Sequence, residues 1–267
     1  VHPFDAVVWD VGDVIIQGKD GPVFAAQGVE FPAFWSQRAC DIVASKYFRV
    51  VDGAHETSVR DMIGRVSWWI AGTGVDDGYF SRADSEIFRE ELQHILLNQY
   101  ASFNSPVWFN VGVQEQPQTS ACFTTTVEDS MESILEWYRA EGMIFKSGSG
   151  NGVNLSAIRP AGAPLSSGGV ASGVMSFMKV ADTNAGAIKS GGATRRAACM
   201  RILNAEHPEI EAFVQCKVDA EKLAHLLMKN GYGNGIEGGA YANVPWQNAN
   251  NSVSMTDEAM SSATIFT

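Results

Sequence analysis

The spacing of apolar and polar positions changes character along the chain. The first thirty residues alternate around Ala6-Val7-Val8-Trp9 and Asp13-Val14-Ile15-Ile16, which predicts a short hairpin turning at Lys19-Asp20-Gly21-Pro22. Phe31-Pro32 opens an aromatic segment running to Tyr47-Phe48 that reads as mainly helical, its proline suited to a first helical turn. Helical spacing returns over 58–70 and 84–100. In the second of these Asp84 suits an N-cap, and Ile87, Leu92, Ile95 and Leu96 make the apolar stripe. Trp68, Trp69 and His94 read as packing residues, and a loop is expected at Asn104-Ser105-Pro106.

Beyond residue 120 the pattern becomes strand, helix, strand, helix. Strands are expected over 122–126, 152–157, 197–203 and 251–255, with helices over 130–140, 170–185 and 208–229 between them. Such alternation implies parallel strands with covering helices. The chain therefore reads as α/β: a mainly helical region over 1–100, then an α/β region over 101–267.

Candidate chemistry concentrates between Ser147 and Arg201. Glycines cluster at Gly148/Gly150/Gly152, Gly168/Gly169 and Gly191/Gly192, each beside an apolar segment. Backbone N–H groups of such loops suit phosphate oxygens, and Arg195 and Arg196 follow the last cluster directly. Turn punctuation in an α/β fold explains the same pattern about equally well. Cys122 lies in a β-rich run, where a lone cysteine is ordinarily a small buried hydrophobe. Asp129 precedes a helix and reads by itself as its N-cap.

Composition narrows the partners. A net charge of −11 over 267 residues argues against a nucleic-acid polymer and leaves room for mononucleotides held by a local cationic loop. The four cysteines show no CxxC or zinc spacing, and no long apolar run or signal peptide is present. A cytoplasmic protein with no membrane partner is expected.

Five co-linear runs, FNSPVWFN, QTSACF, EGMIFKSGSGNGVNLS, KSGGATRRAA and QNANNSV, together with EFPAFWSQRACDIVASKYF near the start, resemble adenosylcobalamin-dependent (class II) ribonucleotide reductase. The resemblance covers nearly the whole chain to about Met260. It implies an N-terminal helical region followed by the first half of a ten-stranded α/β barrel. It further implies reduction of ribonucleotides to 2′-deoxyribonucleotides by thiyl radical chemistry, with adenosylcobalamin as cofactor.

Carried over by motif, Cys122 matches the first of the two cysteines that deliver reducing electrons, against the structural reading its spacing favours. Substrate contacts are implied at Ser105, Ser120, Ala121, Gly152 and Asn154. For a dNTP effector the resemblance implies Asp129 on the ribose, Gly162 and its loop to Gly169, and the run Lys189, Ser190, Gly191, Gly192, Arg195 and Arg196. Helices 130–140 and 170–185 would form a homodimer interface. The Asn-x-Cys-x-Glu run that carries the family's radical cysteine is absent, as are the second reducing cysteine and the C-terminal cysteine pair. Cys199 and Cys216 do not stand in those positions and read as structural. The expectation is an N-terminal portion or split subunit, inactive without a C-terminal half or companion subunit. Two other readings are a class I large subunit, less favoured by the motif spellings, and a non-catalytic dNTP-binding regulatory or assembly subunit.

Overall fold

The computed structural model describes residues 1–18, 21–188, 197–235 and 239–263. The chain divides into two compact units, Val1–Ala121 and Cys122–Thr267, so residues 101–121 go with the first.

In the first unit β1 (Trp9–Gly18) pairs antiparallel with β2 (Gly21–Pro32), as the early alternation predicts. Lys19 and Asp20 of the expected turn lie outside the described residues. Pro32 does not open a helix: it ends β2, paired with Trp9. Helix α1 (Gln37–Lys46) starts later, after Ser36, whose hydroxyl accepts the N–H of Ala39. A two-residue ladder, β3 (Val50–Val51) with β4 (Ala54–His55), leads to α2 (Val59–Asp76). Ser58 and Asp61 form a capping box at the start of α2, satisfying first-turn donors in both directions.

Helix α3 (Arg82–Leu97) is capped by Ser81, with Asp84 three positions in and accepting from the Ser81 hydroxyl, so Asp84 is not the N-cap. Its predicted stripe is also displaced. Ile87 and Ile95 are exposed, while Ser85, Gln93, Leu96 and Leu97 are buried. The buried polar members of that face have partners: Ser85 donates to the Ala71 carbonyl at 3.1 Å and Gln93 to Ser67 at 2.9 Å. Trp69 packs against the core, but Trp68 is exposed with the Arg89 guanidinium 3.9 Å from its ring centre, and His94 is exposed beside Tyr100. The segment read as a loop at Asn104 is instead the capped start of a short helix, α4 (Ser105–Asn110), with Pro106 in its first turn where a missing N–H costs nothing.

The second unit is a four-stranded parallel sheet, β5 (Cys122–Thr125), β6 (Gly150–Asn154), β7 (Cys199–Asn204) and β8 (Ala249–Ser254), in sequential order. Helices α5 (Met131–Lys146), α6 (Val174–Ala187) and α7 (Ile210–Lys229) cross between successive strands, and α8 (Asp257–Ala263) follows the last. Trp137, Val153, Leu155, Met178, Leu203 and Phe213 build the core between sheet and helices. Each expected element is present with shifted ends. The strand read over 152–157 begins and stops earlier, because Leu155 turns out of the ladder while its N–H still donates to the Ile202 carbonyl.

Candidate functional site

Alternation along the strands sorts side chains between two faces. Asn151, Arg201 and Asn251 point toward the helices, donating to Glu141 of α5 and to the Phe213 carbonyl of α7. The intervening positions Cys122, Thr124, Gly152, Asn154 and Met200 lie on the opposite face, which α5, α6 and α7 leave uncovered. Cys122 opens the edge strand β5 opposite Gly150, with Gly152 two residues further on.

The four cysteines separate cleanly by environment. Cys122 is exposed, whereas Cys40, Cys199 and Cys216 are buried. Burial pushes the Cys199 thiol up to about 12, the nearby Arg201 only partly opposing it. Burial likewise raises Cys40 and Cys216. Only Cys122 among them is placed to exchange electrons with anything in solution, which favours the reading by resemblance over the buried-hydrophobe reading.

A second region lies at the carboxyl ends of the strands, where open parallel sheets hold ligands. Asn154 sits on the same face as Cys122 but about 13 Å along β6 from its ladder partner. Asn154 donates to Asn204 at 3.0 Å and accepts the N–H of Ser156 at 2.9 Å, and the Ser156 hydroxyl in turn accepts the N–H of Asn204 at 2.8 Å.

Asp129 is here too, just past β5, and it does not cap α5. That role belongs to Ser130, which accepts the N–H of Ser133. Relieved of the cap, Asp129 accepts from the Arg159 side chain at 2.6 Å and its backbone N–H at 3.2 Å. Nothing in the sequence marks Arg159, thirty residues away, as its partner.

Gly162 begins a tight exposed loop. Its N–H donates to the Ala171 carbonyl, Ala171 returns a bond to Ala163, and Pro164 bridges Val170. The base of this loop is held from the far side of β7. Glu209 accepts the N–H groups of Ala161 and of Val174, the first residue of α6, at 3.2 and 2.7 Å. A carboxylate at a helix start complements both its free donors and its dipole. Gly173 makes this possible: its φ is +80°, and a Cβ would lie 2.5 Å from the Ala161 nitrogen and 2.6 Å from the Glu209 oxygen. His207 braces the turn, accepting from the Glu209 N–H while its other nitrogen lies 2.9 Å from the Ile158 carbonyl. Glu209, at the N-cap position of α7, thus serves the start of α6 rather than its own helix.

Ser105, Ser120 and Ala121 belong to the first unit. Ser105 opens α4 with its hydroxyl 3.0 Å from that of Tyr47, and the Ser120 N–H donates to Gln118 at 2.7 Å. Lys189, Ser190, Gly191, Gly192, Arg195 and Arg196 lie outside the described residues. Among the described residues no group of three His, Cys, Asp or Glu side chains is placed to hold a metal ion, and no helix is long and apolar enough to cross a membrane.

The comparisons with known proteins agree with this architecture. A family model described as "Ribonucleotide reductase, barrel domain" matches residues 120–264, and one described as "Class II vitamin B12-dependent ribonucleotide reductase" matches residues 11–53. Relatives named vitamin B12-dependent ribonucleotide reductase are 53% identical over 265 residues in Streptomyces clavuligerus and 42% identical over 292 residues in Rhodopirellula baltica. Each alignment covers 97% of this chain, which spans 28% of the length of either relative. The alpha subunit of Actinobacillus ureae class Id ribonucleotide reductase shares the fold, with a TM-score of 0.57 at 18% identity over 85% of this chain and 34% of that one.

Proposed function

We propose, on the premise that this chain belongs to the class II vitamin B12-dependent ribonucleotide reductases, that it supplies the first reducing thiol and the effector-binding end of an enzyme converting ribonucleotides to 2′-deoxyribonucleotides. The observation that carries this reading is Cys122, the one exposed thiol of the four, on the sheet face that α5, α6 and α7 leave uncovered, with glycine opposite it on β6.

The role asked of Cys122 is a two-electron reduction. Two thiols become a disulfide, giving up two electrons and two protons, while the ribose 2′-hydroxyl leaves as water and a C–H bond takes its place. None of the buried thiols Cys40, Cys199 and Cys216 is proposed as the second thiol. Ser105 would hold the substrate's phosphate and ribose side by hydrogen bonds. Ser120, Ala121, Gly152 and Asn154 are each proposed as further substrate contacts. When bound, adenosylcobalamin supplies the homolysable carbon–cobalt bond that starts the radical chemistry. This chain's proposed part lies in the thiol and the nucleotide contacts.

Asp129, the loop from Gly162, and the run from Lys189 to Arg196 make up the proposed dNTP effector site. In this structure Asp129 is already oriented by Arg159, so an effector ribose would meet a carboxylate fixed in direction. The exposed apolar residues of α5 and α6 make the proposed homodimer contact.

The test joins this chain to the remaining sequence of the Streptomyces clavuligerus relative and assays deoxyribonucleotide formation with adenosylcobalamin and a dithiol. Activity that depends on the cofactor, with multiple turnover abolished by Cys122→Ser, is expected, since a hydroxyl cannot form the disulfide. Full multiple turnover by the serine variant would remove Cys122 from the reaction.

A further inference from the structure

The first unit builds a polar cluster around Ser105; Ser105, Phe109 and Tyr47 fall inside the quoted family runs, and Arg49 lies just outside them. Phe109 stands four residues after Ser105 on α4, so the two share one helix face. The Tyr47 ring stacks on Phe109 with centroids 5.4 Å apart, which delivers its hydroxyl to 3.0 Å from Ser105 Oγ. Arg49 uses the same platform: its guanidinium carbon lies 4.3 Å from the Phe109 ring centre.

That guanidinium is half-buried and has no hydrogen-bond or ion-pair partner among the described residues. The nearby acid is already committed. Glu56 accepts from Arg65 Nε at 2.7 Å and from the backbone N–H of Arg49 at 2.8 Å. Burial, then the charge of Arg65, pull the Arg49 pKa down, while Glu56 only partly opposes them. A guanidinium stays protonated under such pressure, so the cluster carries a desolvated cation without its anion.

The support beneath it is fixed. Asn104 caps the start of α4 by accepting the Val107 N–H. Arg65 donates to the Trp108 carbonyl at 3.1 Å and to the Val111 carbonyl, closing the other end. Gly112 lets Arg65 reach them: its φ is +71°, and a Cβ would lie 2.5 Å from Arg65 Cγ. A site built to place one hydroxyl needs this kind of rigid second layer.

We propose that Arg49 is a phosphate contact, and Tyr47 the positioning residue, of the substrate subsite that Ser105 carries. The ligand class is a nucleoside di- or triphosphate, whose phosphate oxygens match the guanidinium fork. The Tyr47 hydroxyl orients the Ser105 hydroxyl toward it. This inference rests on the reading of Ser105 as a substrate residue, and neither Tyr47 nor Arg49 belongs to the set that the family resemblance supplies.

Calorimetric titration of the 267-residue chain with CDP and, separately, inorganic pyrophosphate tests it. Arg49→Gln should weaken both by about tenfold, the loss of one charge-assisted contact, without lowering the melting temperature. Arg49→Lys should recover part of the pyrophosphate binding, because charge without the fork suffices for a small anion. Tyr47→Phe should weaken CDP and leave pyrophosphate unchanged. Equal CDP affinity in the parent and Arg49→Gln would overturn the Arg49 contact while leaving the Ser105 subsite intact. Pyrophosphate binding through Arg49 with no CDP binding in the parent would keep the anion contact and sink the substrate reading. Binding of neither probe would overturn both.

Discussion

At the scale of single residues, local chemistry and long-range partnership pull in different directions. Asp129 sits where a helix cap belongs, and sequence alone assigns it that role. The neighbouring Ser130 takes the cap, freeing the carboxylate for Arg159. Glu209 shows the same displacement, leaving its own helix to cap α6. Both pairings join residues thirty or more positions apart, which no periodicity can register. For Cys122 spacing favours a buried thiol, and the structure leaves it exposed. Its exposure carries a direct consequence. A thiolate attacks electrophiles only where solvent and reagent reach it, and buried thiols with raised pKa values are inert. Brief treatment of the native chain with iodoacetamide at about pH 8 should therefore alkylate Cys122 well before Cys40, Cys199 or Cys216, as read by peptide mass spectrometry. Labelling of Cys199 at a comparable rate would contradict the assigned environments.

At the scale of elements, the strand–helix alternation of the second unit was legible because each strand and each helix carries its own period. The first unit was less so. Pro32 suited a helix start, yet pairing across the hairpin held it in β2. The α3 stripe moved because Ser85 and Gln93 found buried hydrogen-bond partners, an outcome a hydropathy pattern cannot express. Nor does it reveal what ties α5 to the sheet. Glu141 and Arg201 are both fully buried and paired, Arg201 also lying 5.0 Å over the Trp137 ring. Asn151 links the same carboxylate to Thr125, so one side chain of α5 engages β5, β6 and β7. Glu141→Gln should strand a buried guanidinium and cost about 3–5 kcal/mol, measured by urea unfolding. Replacing both partners by residues of similar volume, Glu141→Leu with Arg201→Met, should cost much less, because no unpaired charge remains. A double variant as unstable as the single one would mean that the pair acts through packing rather than charge.

At the scale of the molecule, the parallel sheet of the barrel domain exposes one face and covers the other with helices whose outer surfaces are themselves partly apolar. Met131, Leu135 and Met143 on α5 and Val180 on α6 are each more than half exposed. Helices 130–140 and 170–185 were expected to meet a second copy, and these side chains are the apolar surface such a contact would bury. The net charge of −11 works against self-association, since two copies repel across any interface. Salt screens that repulsion without weakening apolar burial. A dimer held by α5 and α6 should consequently tighten as ionic strength rises from about 0.01 to 0.15 M, where the Debye length falls from about 30 to 8 Å. Leu135→Glu and Met143→Glu should each weaken it by about tenfold or more, by burying an unpaired carboxylate at the contact. Sedimentation velocity across salt concentrations measures both effects. Dimerisation that weakens with salt, or that ignores both substitutions, would place the contact on some other, charge-paired surface and free the α5–α6 face for a different role.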